Sequence, residues 1–280
     1  MIVATKGPVD DSSDDTRHSE DSTGLFPAAE HSDPEHAPPP GKSGVTLGDF
    51  FTIKRGVETG GNDFFIVTPV EAMALDLPFE FLRPIFPGPQ NLPEDEIIAD
   101  PEGHPILDGK LFLLDCPLPE REIRDRYPSL WNYLQRGIEQ GVHERYSCRH
   151  RTPWYAQERR PPAQYLCAYM GQNWGEEGPP FRFILNHSKA VAPNIYLMMY
   201  PRPALASRLR DNYPLQIQLW NALNQIGTHE IQERDRVYDS GSGRMEPREL
   251  GSVSAERLSH LMPDLVPDSA AQLGLFDGPP

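Results

Sequence analysis

The chain has 280 residues and a formal net charge of −15, with 26 Lys and Arg against 41 Asp and Glu. Hydrophobic residues make up 38% and aromatic residues 9%, which suffices for a packed core and excludes a chain that is disordered throughout. The 31 prolines and 22 glycines favour loops and short elements over a helical bundle.

The cysteine pattern and the N-terminal sequence indicate the cellular compartment. The three cysteines are odd in number and lack close pairing, which predicts a reducing cytoplasm and no disulfide framework. His143, Cys148 and His150 have no second ligand pair at zinc-finger spacing, so we predict no metal site. No signal peptide is predicted, and no apolar run reaches the ~20 residues that a membrane span needs. We therefore expect a soluble, cytoplasmic protein with no membrane partner.

Both ends have the composition of disordered tails. Residues 1–44 carry nine acids against three bases, runs of Asp, Ser and Pro, and few bulky apolar side chains. Residues 259–280 contain three acids and no Lys or Arg. The sequence predicts a disordered acidic, proline-rich tail over 1–44, a folded domain over 45–258 and a flexible tail over 259–280.

The first half of this domain predicts short elements. The predicted elements, in order, are a helix or strand over 45–53, a glycine loop at 59–62, a buried strand over 64–67, a helix over 70–75, an apolar segment over 81–85, and strands at 97–99 and 111–114. A turn near Pro101 and Gly103 predicts that the last two strands form a hairpin.

The second half predicts longer elements. A helical pattern runs from Pro119 to Gly137, and Pro128 divides it into two helices or kinks it. The remaining predictions are strands over 165–169, 181–185 and 195–200 and a helix over 215–226. We see no internal repeat, and the pattern predicts one α+β domain with a mixed sheet and several helices.

Arginines and aromatic residues alternate in the stretch 146–160. Between Arg145 and Arg160 there are five arginines and one acid, Glu158, so the local field is positive within an acidic chain. Arginine presents a planar donor fork that matches phosphates and guanine edges, and Trp or Tyr presents a flat face to a base or sugar. The stretch favours nucleic-acid binding. The alternative is an arginine-rich surface with Trp154 and Tyr155 in the core.

The motifs of self-contained enzymes are absent from the sequence. Gly241-Ser-Gly243 lacks the third glycine of a dinucleotide fingerprint, Gly41-Lys42-Ser43 lacks the first glycine of a phosphate loop, and no Gly-x-Ser-x-Gly elbow occurs. Glu246 and Glu249 resemble an acid pair, but Pro247 between them favours a helix start instead.

Four blocks, in order, resemble the C-terminal half of γ-class (Eco57I/TaqI-type) adenine-N6 DNA methyltransferases of restriction-modification systems. The blocks are residues 54–65 (Lys-Arg-Gly-Val-Glu-Thr-Gly-Gly-Asn-Asp-Phe-Phe), 146–155, 183–196 and 244–250. The resemblance covers about residues 45–258. It implies a target-recognition domain that reads double-stranded DNA for an adenine-specific methyltransferase.

In that family a separate Rossmann-like domain binds S-adenosylmethionine and holds the flipped adenine with an (Asn/Asp)-Pro-Pro-(Tyr/Phe) motif. This sequence lacks the motif, since Pro161-Pro162 follows Arg160 and Pro179-Pro180 follows Gly178. We therefore expect no catalytic residue and no bound cofactor here, with S-adenosylmethionine on a partner catalytic subunit or domain. Two alternatives stay open: a non-catalytic remnant or protein-interaction module of the same fold, and a complete methyltransferase with an unrecognised cofactor site.

The second block supplies the first set of predicted DNA contacts. Arg149 and Arg151 are predicted to grip phosphates or guanine, and Trp154 and Tyr155 to support a sugar or base face. Arg55, in the first block, is also predicted to contact DNA.

The first and third blocks supply the rest. Thr59, Gly60 and Asn62 are predicted to form a tight loop beside the flipped nucleotide, the alternative being a simple hairpin turn. In the third block, the side-chain amides of Asn186 and Asn194 are predicted to pair with adenine edges, and Lys189 is predicted to contact phosphate. The alternative for the two asparagines is that they cap strand ends and turns.

Overall fold

Two sheets with helices around them make up the described part of the chain. A computed structural model describes residues 44–169, 181–226 and 245–265. The chain divides into the units Met1–Pro39 and Pro40–Pro280, and all described residues belong to the second. The predicted N-terminal tail up to residue 43, and residues 266–280 of the predicted C-terminal tail, lie outside the described residues.

Short elements dominate the first half. They are α1 (Leu47–Phe50), β1 (Phe51–Arg55), α2 (Asn62–Phe65), β2 (Ile66–Val67), α3 (Pro69–Ala74), β3 (Leu82–Ile85), β4 (Glu96–Ile97) and β5 (Leu111–Leu114). Proline starts α3 at a position where its missing N–H costs nothing, and a Thr68–Glu71 capping box satisfies the free amides there.

Longer elements follow. They are α4 (Glu120–Arg126), α5 (Pro128–Glu139), α6 (Tyr146–Arg149), β6 (Tyr165–Tyr169), β7 (Phe181–Asn186), β8 (Tyr196–Pro201), α7 (Pro203–Leu209), α8 (Tyr213–Ile226), α9 (Pro247–Gly251) and α10 (Glu256–Leu261). The division of the helical region at Pro128, the three strands and the helix α8 confirm the predictions for this half. Pro247 starts α9, where Glu246 and Glu249 form a capping box, so the predicted helix start is also confirmed.

The first sheet has five strands in the order β1-β8-β6-β7-β4. All its pairs are antiparallel except β4 with β7, which is parallel. The sheet is therefore mixed, and together with the helices it confirms the predicted α+β fold.

Both faces of the first sheet are buried, which explains the nearly continuous apolar strands. Tyr165 and Cys167 of β6 point into a cluster that contains Leu219 and Leu223 of α8. Residues one position along the strand point to the opposite cluster. The indole N–H of Trp220 donates to the Phe183 carbonyl at 2.8 Å and fastens α8 to β7.

The second sheet has three antiparallel strands in the order β2-β5-β3. Its cluster includes Ile123 of α4, Leu130 of α5, and Cys148 and Tyr155 from the arginine-rich stretch. The stretch that carries four of the predicted DNA contacts is thus partly core.

Two predictions for the first half need correction: the strand predicted over 64–67 is confirmed only at Ile66–Val67, and the predicted hairpin is wrong. Phe64 and Phe65 belong to α2, because their amides donate to the Gly61 carbonyl at 3.0 and 2.8 Å; a short apolar run does not distinguish a helical turn from a strand. The hairpin of residues 97–99 with 111–114 does not form, because β4 pairs with β7 and β5 pairs with β2 and β3. Apolar runs predict burial, whereas the partner strand is chosen by tertiary packing.

The C-terminal end of the domain extends past the predicted boundary at 258. Helix α10 runs to Leu261, and Met262 is buried in the cluster beneath α8. The spacing of Leu258 and Met262 places both side chains on the core side of this helix. Residues 259–262 therefore belong to the folded body.

Candidate nucleic-acid interface

Residues 58–63 of the first sequence block form a loop, which we call the glycine loop. The second and third blocks contact this loop, and the fourth block contacts Arg55, ahead of the loop. The Val57 amide, just before the loop, donates to the Ala192 carbonyl at 2.8 Å. The Asn194 amide donates to the Glu58 carboxylate, and Arg55 forms an ion pair with Glu246. Residues more than 130 positions apart are thereby brought to one place.

Thr59 and Asn62 stabilise the loop from within. Thr59 is buried, and its hydroxyl accepts the Gly61 amide at 3.0 Å and donates to the Asn62 side-chain carbonyl. Asn62 is exposed at the start of α2. Of these two predicted contacts, Asn62 is the one that solvent reaches.

Gly60 seats the loop against α6. Its φ is +76°, and a Cβ there would lie 2.8 Å from Cys148 Sγ and 3.0 Å from Ser147 Cβ. Only glycine both adopts this left-handed backbone conformation readily and leaves room for the close approach of α6. The loop is therefore built onto the arginine-rich stretch and is not the isolated hairpin turn that was the alternative.

Arg145 also joins the two segments. Its guanidinium donates to both Asp63 carboxylate oxygens, at 2.6 and 2.9 Å. This hydrogen bonding lowers the pKa of Asp63 below its ordinary value. Arg145 was not among the predicted site residues, although it begins the arginine-rich stretch that the sequence singled out.

Arg151 directs its guanidinium at the protein. It donates to the Thr59 carbonyl at 2.9 Å, to the Ala156 carbonyl at 3.3 Å, to the Gln157 side chain at 3.2 Å, and to the Glu58 carbonyl. A fork with these acceptors is not free to grip a phosphate. The placement opposes the predicted DNA-contact role of Arg151.

Arg149 is exposed, with its guanidinium carbon 5.4 Å from the Tyr146 ring centroid. The ring of Tyr146 is 72% exposed, and its centroid lies 4.5 Å from that of His150, which is also exposed. We call Tyr146, Arg149 and His150 the exposed triplet. Tyr146 and His150 were not predicted as site residues, although the alternation of rings and bases in the stretch indicates them.

Trp154 and Tyr155 lie in the core. Tyr155 is 1% exposed and donates its hydroxyl to the Leu118 carbonyl at 2.6 Å, and burial raises its pKa. Trp154 is half-buried, with its ring centroid 6.0 Å from Phe64 and 6.1 Å from Phe65. Tyr155 therefore matches the core alternative, since a buried ring offers no face to a base, and Trp154 packs against the same cluster.

Asn186 is the last residue of β7, and its side chain caps the turn that follows, as in the alternative to a DNA contact. Its carbonyl accepts the Ser188 amide at 2.9 Å and the Ser188 hydroxyl at 2.7 Å, and 4% of the residue is exposed. Lys189 is exposed but lies against another turn, where its ammonium donates to the Glu102 carbonyl at 2.9 Å. Among the third-block residues, Asn194 is the one that contacts the glycine loop.

Residues 41–271 match the family model for the C-terminal domain of Type II methyltransferase M.Eco57I. The chain belongs to this family. The resemblance that the four blocks predicted is thereby confirmed.

The chain is similar to a longer methyltransferase. The chain is 21% identical over 210 residues to the Type II methyltransferase M.AccI of Acinetobacter calcoaceticus, and the match covers 75% of this chain and 36% of M.AccI. The chain thus spans about a third of that relative's length. A solved structure of the Type IIL restriction-modification enzyme MmeI in complex with DNA aligns with 84% of this chain and 34% of the MmeI chain, at 12% identity and a TM-score of 0.35.

Within residues 44–169, 181–226 and 245–265, no group of three or more His, Cys, Asp or Glu side chains is placed to hold a metal ion. No helix in these ranges has the length and apolar character needed to cross a membrane.

Proposed function

We propose that this chain reads a DNA sequence for an adenine-N6-specific methyltransferase of a restriction-modification system. Membership of the M.Eco57I C-terminal family supports the methyltransferase context. The observation that carries the proposal is the meeting of three separated blocks at the glycine loop, next to an exposed arginine and an exposed tyrosine. A loop assembled from distant segments beside free cationic and aromatic groups suits recognition of a nucleic acid.

The exposed triplet supplies the contacts in this proposal. Arg149 pairs with phosphate or with a guanine edge, and a bidentate base contact is worth ~1–3 kcal/mol of discrimination. Tyr146 offers a flat face to a base or sugar. Asn62, at the exposed end of the glycine loop, supplies an amide for a base edge.

Methyl transfer itself takes place elsewhere in this proposal. The sequence lacks the (Asn/Asp)-Pro-Pro-(Tyr/Phe) motif that holds a flipped adenine, so S-adenosylmethionine belongs to a partner catalytic subunit or domain.

Fluorescence anisotropy with duplex DNA at two salt concentrations tests the proposal. We expect the wild-type chain to bind with an affinity that falls as salt rises, and Arg149→Ala to weaken binding and reduce the salt slope by about 1, because one phosphate contact is lost. Arg210→Ala is the matched control, since this exposed arginine lies between α7 and α8, outside the four blocks. Equal salt slopes for wild type and Arg149→Ala would show that Arg149 does not contact phosphate. If the chain binds no DNA at all, with or without a catalytic partner, the proposal is wrong.

A protein-interaction module is the second candidate. The structural roles of Arg151 and Tyr155 favour it, as do three exposed apolar side chains at Val70, Met73 and Phe79. The DNA titration separates the two candidates. A titration with S-adenosylmethionine separates both from a complete methyltransferase, for which micromolar binding is expected.

A further inference from the structure

A polar network runs from the glycine loop to the second sheet, and Arg151 joins its two parts. Gln157 is buried, and its side-chain carbonyl accepts from Arg151 at 3.2 Å while its side-chain amide donates to the Tyr155 carbonyl at 3.2 Å. The backbone amide of Gln157 donates to Asp115 at 3.3 Å. Asp115 follows β5 and accepts from Arg83 of β3 at 3.0 Å. The glycine loop is thus tied to two strands of a packed sheet.

We propose that Arg151 is a positioning residue, which holds the glycine loop in its DNA-reading conformation without contacting DNA itself. The part of this proposal that concerns DNA rests on the proposed function. The part that concerns the loop rests on the hydrogen bonds alone.

The geometry of guanidinium explains why arginine occupies this position. Its planar fork carries five N–H donors, and here it reaches two consecutive loop carbonyls, those of Glu58 and Thr59, together with acceptors on its own segment. A lysine ammonium has three donors on a single nitrogen and does not bridge acceptors spread in this way. Hydrogen bonds from a charged donor are also stronger than neutral ones.

Displacement of the loop would move the groups that the proposed function uses. Glu58 holds the Asn194 amide, and Thr59 holds Asn62 at the start of α2. Both contacts are made by the side chains of the two residues whose carbonyls accept hydrogen bonds from Arg151, so they depend on the position of the loop backbone. Loss of Arg151 therefore loosens the loop while the exposed triplet keeps its charge.

Cys148 reports on this loop independently of DNA. Its thiol is buried, with Sγ 3.9 Å from the Thr59 carbonyl, and Gly60 packs against it. Burial raises the pKa of the thiol, so that the reactive thiolate is scarce while the loop is closed. Opening of the loop exposes the thiol to an alkylating reagent.

The test is alkylation of the full chain by iodoacetamide, with the modified cysteine located by mass spectrometry. In Arg151→Ala we expect Cys148 to react faster by on the order of tenfold or more, the factor by which losing one charged hydrogen bond shifts an opening equilibrium. Buried Cys116 and Cys167 are internal references and should stay at wild-type rates. Arg149→Ala is the matched control, because it removes a neighbouring arginine that does not hold the loop, and should leave Cys148 unchanged.

Several outcomes would overturn the loop role. Cys148 reacting at the wild-type rate in Arg151→Ala is the first. If all three cysteines become reactive in that variant, it has unfolded, and Arg151→Lys is measured instead. An alkylation rate that rises only at Cys148 in Arg151→Lys supports the proposal. Either no change in Arg151→Lys or a rise of all three cysteines contradicts it.

A DNA-binding measurement on the same variants tests the second part. We expect Arg151→Ala to lower affinity at an unchanged salt slope, whereas Arg149→Ala lowers the slope by about 1. A slope reduced equally by both substitutions would make Arg151 a phosphate contact and overturn its positioning role. If the wild-type chain binds no DNA, the proposed function fails, and the cysteine experiment still decides whether Arg151 holds the loop.

Discussion

Single arginines in one short stretch take three different roles. Arg145 is bound by Asp63, Arg151 is bound by loop carbonyls, and Arg149 is exposed beside a tyrosine ring. Their side chains are chemically identical, so the role of each follows from the acceptors that the fold places within its reach. Of these three, Arg149 is the one available for an external phosphate.

Gly60 is the residue on which the loop conformation depends most directly. Gly109 is the matched control, because its φ of +75° is close to the +76° of Gly60 but a Cβ there would meet nothing within 4 Å. We expect Gly109→Ala to cost about 1–2 kcal/mol through backbone strain. Gly60→Ala should cost about 1–3 kcal/mol more, because its methyl group also collides with Cys148. Urea denaturation measures both, and equal losses would show that the loop is not seated on α6.

Helices at the C-terminal end close the core over the first sheet. Met262, which follows α10, is 2% exposed and belongs to the same cluster as Leu219 and Leu223 of α8. The domain boundary predicted at 258 divides this helix. It was predicted from the composition of residues 259–280, which contain no Lys or Arg, but that segment still includes Met262, which packs in the core.

Substitution of Met262 tests whether this end of the chain contributes to the fold. We expect Met262→Ala to lower the free energy of unfolding by about 2–5 kcal/mol, the cost of emptying a buried site. His260→Ala, an exposed change on the same helix, should stay within about 0.5 kcal/mol of wild type. Chemical denaturation followed by circular dichroism compares them, and a neutral Met262→Ala would place the residue outside the folded body.

The described part of the chain combines two sheets, the first with a hydrophobic cluster on each face and the second with one cluster. Arg83 of the second sheet links the two, because it donates to the Arg160 carbonyl at 2.7 Å, ahead of β6 of the first sheet. The net charge of −15 opposes DNA at long range, so the proposed binding depends on the local exposed triplet and should weaken steeply with salt.

The predicted single domain can be tested by its cooperativity. Leu134 of α5 is buried in the cluster of the second sheet, and Leu223 of α8 is buried in a cluster of the first sheet. If the body is one cooperative unit, Leu134→Ala and Leu223→Ala should each shift the same single transition by about 2–5 kcal/mol. Tryptophan fluorescence and circular dichroism should then give coincident curves. Two separate transitions would show that the sheets fold independently.

The sequence by itself determined the family, the α+β class and the elements with strong local signals. Pro128 divides α4 from α5, apolar runs form β6 to β8, and Pro247 starts α9, because backbone geometry and side-chain burial along a short window suffice for these features. The sequence also predicted that a glycine loop and an arginine-rich stretch carry the site.

Only the tertiary structure decided which residues of that site are available. Arg151 reaches Glu58 across 93 positions, Tyr155 reaches Leu118 across 37, and β4 pairs with β7 and not with the nearer β5. Hydrogen-bond partners and burial arise from contacts between distant segments, which local patterns do not encode. For the same reason, only the folded structure shows that Tyr146 and His150 are exposed beside Arg149, the arginine that the sequence had predicted to contact DNA.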